Sequence, residues 1–96
     1  MNLGQAIEEL KNGKKVARRS WIEKGKFIYL VNGHNVSFEQ LRGAAAKHLE
    51  ADKPNNRTKR ALINSHIDMR MANGAIAVGW VASQNDMLAE DWEVVE

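Results

Sequence analysis

The stretch Ile63–Val81, INSHIDMRMANGAIAVGWV, determines the type of fold. Polar residues alternate with mostly apolar ones from Ile63 to Met71, and this period of two predicts a strand with one buried and one polar face. The pair Asn73-Gly74 favours a two-residue hairpin loop of type I′. Residues 75–81 are therefore predicted to return as a second, antiparallel strand.

The other elements follow from helical or alternating periodicity and from turn residues on either side of this hairpin. They are a helix over 3–12, an extended segment over 14–20, a strand over 26–31 ended by Asn32-Gly33, a helix over 37–49, a helix over 83–88 and a strand over 92–95. Asn2 and Ser83 are the predicted N-caps of the first and last helices. The order α-β-β-α-β-β-α-β predicts one α+β domain over residues 1–96, with a small antiparallel sheet and short helices. We expect a variable helix and basic loop to be inserted at about 35–62.

Length and composition exclude several classes of protein. The 96 residues fit one small domain, whose stability would gain from burial in an oligomer. The absence of cysteine excludes a disulfide scaffold, a thiol nucleophile and a thiolate metal site. No apolar run approaches the roughly 20 residues of a membrane-spanning helix, and the first ten residues do not read as a secretory signal. The expected location is the cytoplasm.

Charge is distributed unevenly along the chain. Residues 1–62 contain thirteen Lys and Arg against six Asp and Glu, a net charge of +7, whereas residues 63–96 contain one against six, a net charge of −5. The basic part is expected to attract phosphates. The acidic part is expected to pair with basic neighbours of the same chain or of a second subunit.

The sequence carries no enzymatic signature. It lacks a glycine-rich phosphate loop, an H-E-x-x-H motif and a G-x-S-x-G motif, and His34, His48 and His66 lack metal-ligand spacing. We therefore predict no catalytic residue, no metal and no cofactor. His66 shares the polar face of the predicted strand with Asp68 and Arg70. This face is either solvated and ion-paired or the wall of a pocket for an anionic ligand with hydroxyl groups.

Trp21 has neighbours suited to a nucleotide. It lies between Arg18-Arg19 and Lys24-Gly25-Lys26. Its ring either packs in the core or stacks on a purine base whose phosphates pair with these cations.

Trp80 also lies near a candidate polar site. It precedes the predicted helix capped by Ser83, whose first N–H groups favour anions or hydroxyls. Asp86, in the first turn, either supports the cap alone or accepts hydrogen bonds from ribose hydroxyls.

Two blocks of sequence resemble a small phage and prophage family, the second type of Thoeris anti-defence proteins. The first is MNLGQA at 1–6 with GKKVAR at 13–18 and Trp21; the second is HIDMR at 66–70 with Asn73-Gly74 and GWVASQNDMLAEDWEVV at 79–95. The resemblance covers roughly 1–31 and 63–96. Many members have proline where this chain has Gly79, which allows a closer approach of the backbone.

The resemblance implies a function that composition does not show. Members are non-enzymatic proteins that bind the cyclic ADP-ribose isomer (glycocyclic ADP-ribose) made by bacterial TIR proteins on sensing phage, and so withhold the activator from the Thoeris effector. Some members also bind cyclic di- or trinucleotides at a second site. Members are homo-oligomers, typically tetramers, with pockets built across subunit boundaries. The expected setting is the cytoplasm of the infected bacterial cell.

The residues around the aromatic and cationic positions provide a candidate ligand pocket. We expect Trp21 to stack on the base, Phe27 to form an apolar wall and Trp80 to form the floor. The hydroxyls or phosphates would be bound at the helix start, and the phosphate charge would be offset by two cations; these residues are Ser83, Gln84 and Asp86, with Arg18 and Lys26.

A basic nucleic-acid-binding phage accessory protein is the alternative. Lys53, Arg57, Lys59 and Arg60 form a basic cluster that is either a solvated loop or a nonspecific nucleic-acid contact. The near-neutral net charge of +2 favours a small anionic ligand over a broad nucleic-acid surface.

Overall fold

The computed structural model describes residues 1–49 and 60–96. Their elements are α1 (Leu3–Lys11), β1 (Lys15–Arg18), α2 (Arg19–Ile22), β2 (Phe27–Val31), β3 (His34–Ser37), a 3₁₀ helix (Phe38–Gln40), α3 (Gly43–His48), β4 (Arg60–Ile63), β5 (His66–Arg70), β6 (Ile76–Val78), α4 (Gln84–Leu88) and β7 (Trp92–Val95). This mixed α+β architecture with an antiparallel sheet confirms the predicted fold class. The contacts fall into two compact units, the first formed by 1–31 with 66–96 and the second by 32–65.

The first unit contains a five-stranded sheet in the order β6-β5-β2-β1-β7, with every neighbouring pair antiparallel. Val16 of β1 lies opposite Ile28 of β2, and Ile28 lies opposite Met69 of β5. Since opposed residues share a face of an antiparallel sheet, these three side chains lie on the same face. All three are buried, so this is the face that carries the core.

The core of the first unit is small and rich in tryptophan. α1 packs on β1, β2 and β7 and contributes Ala6 and Leu10, which are 0% and 1% exposed. The other buried apolar residues are Val16, Ala17, Trp21, Ile28, Met69 and Trp92. In the described parts of the chain, no helix has the length and apolar character needed to cross a membrane.

The helix caps form as predicted. The Asn2 side chain accepts from the Gln5 N–H at 2.8 Å, and the Gln5 side chain accepts from the Asn2 N–H at 3.0 Å. α1 ends after Lys11, and Gly13 follows with a φ of +85°, a conformation that costs glycine little. Ser83 caps α4 in the same reciprocal way with Asp86.

The predicted β5–β6 hairpin is confirmed, but its loop differs in type. The Gly74 N–H donates to the Met71 carbonyl at 2.9 Å, and the Met71 N–H donates to the Ala75 carbonyl at 2.8 Å. Gly74 has a φ of +87°, and no described residue other than glycine has a positive φ. A type I′ turn needs positive φ at both central residues, so this is a three-residue loop with glycine at its last position.

The second unit differs from the predicted helix over 37–49. β3 pairs with β4, a 3₁₀ helix follows Ser37, and Leu41 and Arg42 are extended before α3 begins at Gly43. The Arg42 guanidinium donates to the carbonyls of Glu39 and Leu41. In a continuous helix, these carbonyls would accept i→i+4 hydrogen bonds from backbone N–H groups. At this break in the helix, the Arg42 side chain donates to them instead.

The long alternating strand is also divided. Its first residue, Ile63, is the last residue of β4, and the rest forms β5 from His66 to Arg70, so the two parts lie in different sheets. Likewise, Asn32-Gly33 does not close a hairpin but links β2 to β3, which lie in different sheets. Gly33 approaches the 63–65 backbone closely: a Cβ there would lie 2.5 Å from the Ile63 carbonyl oxygen. The Gly33 N–H donates to Ser65 Oγ at 2.8 Å, which fixes this crossing.

Candidate functional site

Arg18 links β1 to the segment around α4. Its Nη1 donates to Asp86 Oδ1 at 3.1 Å, and its Nε donates to Asp91 Oδ1 at 2.9 Å. The three side chains are only 23%, 13% and 31% exposed, in the order Arg18, Asp86, Asp91. The bridge therefore joins elements of the basic and acidic parts of the sequence in a partly desolvated setting, where ion pairs are screened less than at the surface.

The ion pairs hold both aspartates in their charged form. The Arg18 hydrogen bond lowers the pKa of Asp91. Burial alone would raise the pKa of Asp86, but hydrogen bonds from Ser83 and Arg18 outweigh burial, and the pKa lies below its ordinary value. The same bonds, from Asp91 first and then Asp86, raise the pKa of Arg18. Neither aspartate is suited to act as a general acid or base near neutral pH.

Three tryptophans pack edge to face beside this bridge. The Trp21 ring centroid lies 5.1 Å from Trp92 and 6.1 Å from Trp80, and Trp80 lies 6.0 Å from Trp92. All three interplanar angles are close to 80°, the arrangement that aromatic quadrupoles favour. The Trp92 indole N–H donates to the Asp86 carbonyl at 3.0 Å, which connects the rings to α4. We call Arg18, Trp21, Trp80, Asp86 and Trp92 the tryptophan–arginine cluster.

Most of the predicted ligand residues lie in or beside this cluster. Trp21 is 8% exposed, and the Lys26 ammonium lies 5.0 Å from its ring centroid. Ser83 and Asp86 are bonded to each other through the cap. Gln84 is exposed at the start of α4. The cluster already engages Trp21, Arg18 and Asp86 in internal contacts, and their roles toward a ligand stay predictions.

Asp68 lies on the face of the sheet opposite the core, where its carboxylate is hydrogen-bonded to the backbone. Its side chain is buried, accepts from the Gly79 N–H at 3.0 Å and lies 3.6 Å from His66 Nε2. Gly79 has a φ of +81°. Proline fixes φ near −65° and has no N–H, so it could not replace Gly79 in this conformation.

The sheet face opposite the core has a cleft of about 790 Å³. We call it the open-face cleft; its lining includes Lys14, Lys15, Phe27, Tyr29, Arg70 and Ile76. Phe27 is the predicted ligand residue that lies here, apart from the tryptophan–arginine cluster. Alternation predicts that Arg70 lies on the polar face of its strand, and Arg70 lines this cleft.

Sequence reasoning did not find Lys14, Lys15, Tyr29 and Ile76. Phe27 lies opposite Arg70, Arg70 lies opposite Ile76, and Lys15 lies opposite Val95. These positions become one surface only when the register of all five strands is known. The alternation of Phe27 and Tyr29 about buried Ile28 is the signal that could have indicated a second aromatic face.

Two other predictions concern metal and nucleic acid. No group of three or more His, Asp and Glu residues suited to a metal ion occurs within 1–49 and 60–96. In the basic cluster, Arg60 is exposed in β4, whereas Lys53, Arg57 and Lys59 lie outside the described residues.

Comparison with known proteins identifies the family. The model of the Thoeris anti-defense 2-like domain matches residues 1–95. Thoeris anti-defense 2 of Bacillus phage SP01 is 30% identical over 95 residues, which cover 99% of this chain and 94% of that protein. These matches show the class of the protein, which is a phage anti-defence protein. The chain belongs to the Thoeris anti-defence 2-like family, which confirms the resemblance drawn from its two sequence blocks.

Proposed function

We propose that this protein blocks Thoeris signalling by binding and retaining a TIR-derived cyclic ADP-ribose isomer, glycocyclic ADP-ribose. The observation that carries the proposal is the match of the whole chain to the anti-defence family. Retention needs only ground-state affinity and no preferential stabilisation of a transition state. A small protein present in excess over the signal would keep the free concentration below the level that activates the effector.

A non-enzymatic mode of action is part of the proposal. The charged side chains of the tryptophan–arginine cluster are engaged with each other, and Asp86 and Asp91 have lowered pKa values. A hydrolase of the signal would instead need a nucleophile or water activated by a positioned base. Such a base works best with a pKa near the working pH, which this arrangement does not favour.

The proposal extends to assembly and location. We propose a homo-oligomer, a tetramer, with ligand pockets shared between subunits, in the cytoplasm of the infected bacterial cell. We also propose that a second site takes cyclic di- or trinucleotides. Native mass spectrometry, with and without glycocyclic ADP-ribose or a cyclic trinucleotide, measures both the subunit number and the ligand stoichiometry.

The decisive experiment separates retention from conversion. The protein is incubated with excess glycocyclic ADP-ribose, desalted and heated, and the released compound is identified by mass spectrometry. We expect the intact ligand in stoichiometric amount, because binding without chemistry is reversible on unfolding. Release of a linear product would show an enzyme, and release of nothing would overturn the proposal.

A salt titration tests the nucleic-acid alternative. Binding of a fluorescent DNA duplex would weaken steeply with salt in proportion to the phosphates contacted. Retention of a nucleotide in a pocket should depend far less on salt. Tight duplex binding together with no retention of glycocyclic ADP-ribose would favour the alternative.

A further inference from the structure

The pairing of β6 with β5 is irregular just after Val78. Val78 lies opposite Asp68, so an unbroken antiparallel register would place Gly79 opposite Ile67. The Ile67 carbonyl instead accepts from the Trp80 N–H at 2.7 Å. Gly79 and Trp80 therefore face a single partner residue, which is the two-against-one arrangement of a β-bulge. Gly79 has a φ of +81°, the left-handed conformation that glycine adopts at the first position of one type of bulge.

The bulge changes the face of the sheet on which Trp80 lies. Val78 shares the face opposite the core with Asp68 and is 73% exposed. Strict alternation along the strand would place residue 80 on that same face. The Trp80 ring packs on the core side instead, with its centroid 6.1 Å from that of Trp21 and 6.0 Å from that of Trp92. The extra residue thus directs the Trp80 side chain into the tryptophan–arginine cluster.

Asp68 provides the acceptor that the bulge takes away from Gly79. Since the Ile67 carbonyl is bonded to Trp80, the Gly79 N–H donates to Asp68 Oδ1 at 3.0 Å. Asp68 is 6% exposed, and a hydrogen bond shielded from water in this way is electrostatically stronger than an exposed one. An unpaired N–H in its place would cost about as much free energy as a lost hydrogen bond. The bulge therefore needs the acceptor that Asp68 provides.

The position of Trp80 also affects α4. Ser83 caps α4 only three residues after Trp80, and the helix has five residues, too few to be stable alone. The Trp92 indole, which packs against Trp80, donates to the Asp86 carbonyl of α4 at 3.0 Å. A displaced Trp80 ring would therefore disturb both the connection that leads into α4 and the indole that is bonded to it.

We infer that Asp68 is a positioning residue that couples the two faces of the sheet. From the face opposite the core, its carboxylate holds the bulge at Gly79, and the bulge directs Trp80 into the tryptophan–arginine cluster on the core side. Asp68 acts through the backbone, because its hydrogen bond is to an amide rather than to an indole. The coupling is a property of the fold and does not depend on which compound the protein binds.

Amide hydrogen exchange of the unchanged protein tests the hydrogen bond directly. Gly79 lies after the last residue of β6, yet we expect its N–H to exchange at least about tenfold more slowly than an unbonded amide. Exchange at the rate of an unbonded amide would overturn the inference. This measurement is decisive even where a variant at position 68 does not fold.

Two substitutions at Asp68 then test the positioning role. Asp68→Val removes the acceptor and keeps a side chain suited to a strand, whereas Asp68→Asn keeps a carbonyl oxygen as acceptor. We expect Asp68→Val to move the Trp80 indole N–H resonance in nitrogen-15 spectra and to weaken the near-ultraviolet dichroism of the packed indoles. Asp68→Asn should retain both signals. Trp80→Phe identifies which of the three indole resonances belongs to Trp80.

Val78→Thr is the matched control for these variants. Val78 lies opposite Asp68 on the same face, and the change keeps a branched side chain at an exposed position. Its indole resonances should equal those of the unchanged protein. An Asp68→Val variant that melts at a lower temperature but keeps the Trp80 resonance in place would overturn the inference, because a residue that only stabilises the fold would give that result.

Discussion

At the scale of single residues, Arg18 explains how the uneven charge of the sequence is used. Residues 1–62 are strongly basic and residues 63–96 strongly acidic, yet Arg18 and Arg19 bind three carboxylates of the acidic part within the same chain. The partners are separated by about seventy residues, so neither composition nor local periodicity could have paired them. Lys15 and Arg70, which line the open-face cleft, are among the cations that have no carboxylate partner in residues 1–49 and 60–96.

The Arg18 bridge predicts a loss of stability in acid. The pKa values of Asp86 and Asp91 are lower in the folded than in the unfolded chain, so the unfolded state binds more protons in acid. Their contribution is complete above about pH 5, where unfolded aspartates are charged, and it is lost as the pH falls through the lowered folded values. We expect Asp91→Asn to lower the melting temperature at pH 7 and to flatten its decline between pH 5 and pH 2.

Thermal unfolding followed by circular dichroism over that range measures the effect. Glu90→Gln is the control, since Glu90 is an exposed neighbour with no ion pair in the described residues. An Asp91→Asn variant whose melting temperature declines as steeply as that of the unchanged protein would show that the bridge does not contribute.

At the scale of elements, the three tryptophans join parts of the chain that have little regular structure of their own. α2 has four residues and α4 has five, too short to be stable alone. Trp21 from α2, Trp80 before α4 and Trp92 at the start of β7 hold them by mutual packing. Element stability here comes from these side-chain contacts rather than from helix propensity.

Trp21→Ala should therefore destabilise the fold. Trp21 is 8% exposed and contacts both other indoles, and truncation of such a buried aromatic side chain costs about 3–5 kcal/mol. Urea unfolding of the variant measures the free energy. Trp21→Phe, which keeps an aromatic ring, should retain most of it. If Trp21→Ala costs less than about 1 kcal/mol, Trp21 is outside the core, and its predicted stacking on a base becomes the better explanation for its position.

Sequence periodicity predicted the caps and the hairpin, which depend on residues close together in the chain. The caps at Asn2 and Ser83 and the hairpin at Asn73-Gly74 use residues within a few positions of each other, and all three form. The predicted helix over 37–49 is interrupted, because Leu41 and Arg42 are extended and Gly43 has a φ of +60°. The open-face cleft was missed because it depends on which strands are adjacent. The order of strands in a sheet is determined by tertiary packing, and no local sequence pattern predicts it.

At the scale of the whole molecule, the chain leaves the five-stranded sheet and returns to it at neighbouring positions. β2 ends at Val31, β5 begins at His66, and these two residues are partners in the antiparallel register. All eight buried apolar residues of the described chain lie in the first unit. The first unit therefore has a core to which residues 32–49 and 60–65 contribute no buried apolar side chain.

Removal of residues 34–65 should leave a folded protein. The deletion joins Val31-Asn32-Gly33 to His66, so that Asn-Gly becomes a two-residue hairpin loop between β2 and β5, the turn that this pair favours. We expect a cooperative thermal transition and retained near-ultraviolet dichroism from the tryptophans. A matched deletion of residues 34–66, which joins Gly33 to Ile67, shifts the register by one residue and should fail to fold. Loss of cooperativity in the first variant would show that the second unit is required.

The adjacency of Val31 and His66 also has a consequence for folding kinetics. These residues meet only when the intervening chain closes into a loop, and the entropy lost on closure rises with loop length. Within that loop, β3 pairs with β4 up to His34 opposite Ile63, so this inner ladder leaves only short connections to Val31 and His66. We expect the β3–β4 ladder to form first and to bring Val31 and His66 close together. Once this ladder has formed, the contact between β2 and β5 requires closure of only short connections, so most of the entropy cost of loop closure is met when the ladder forms.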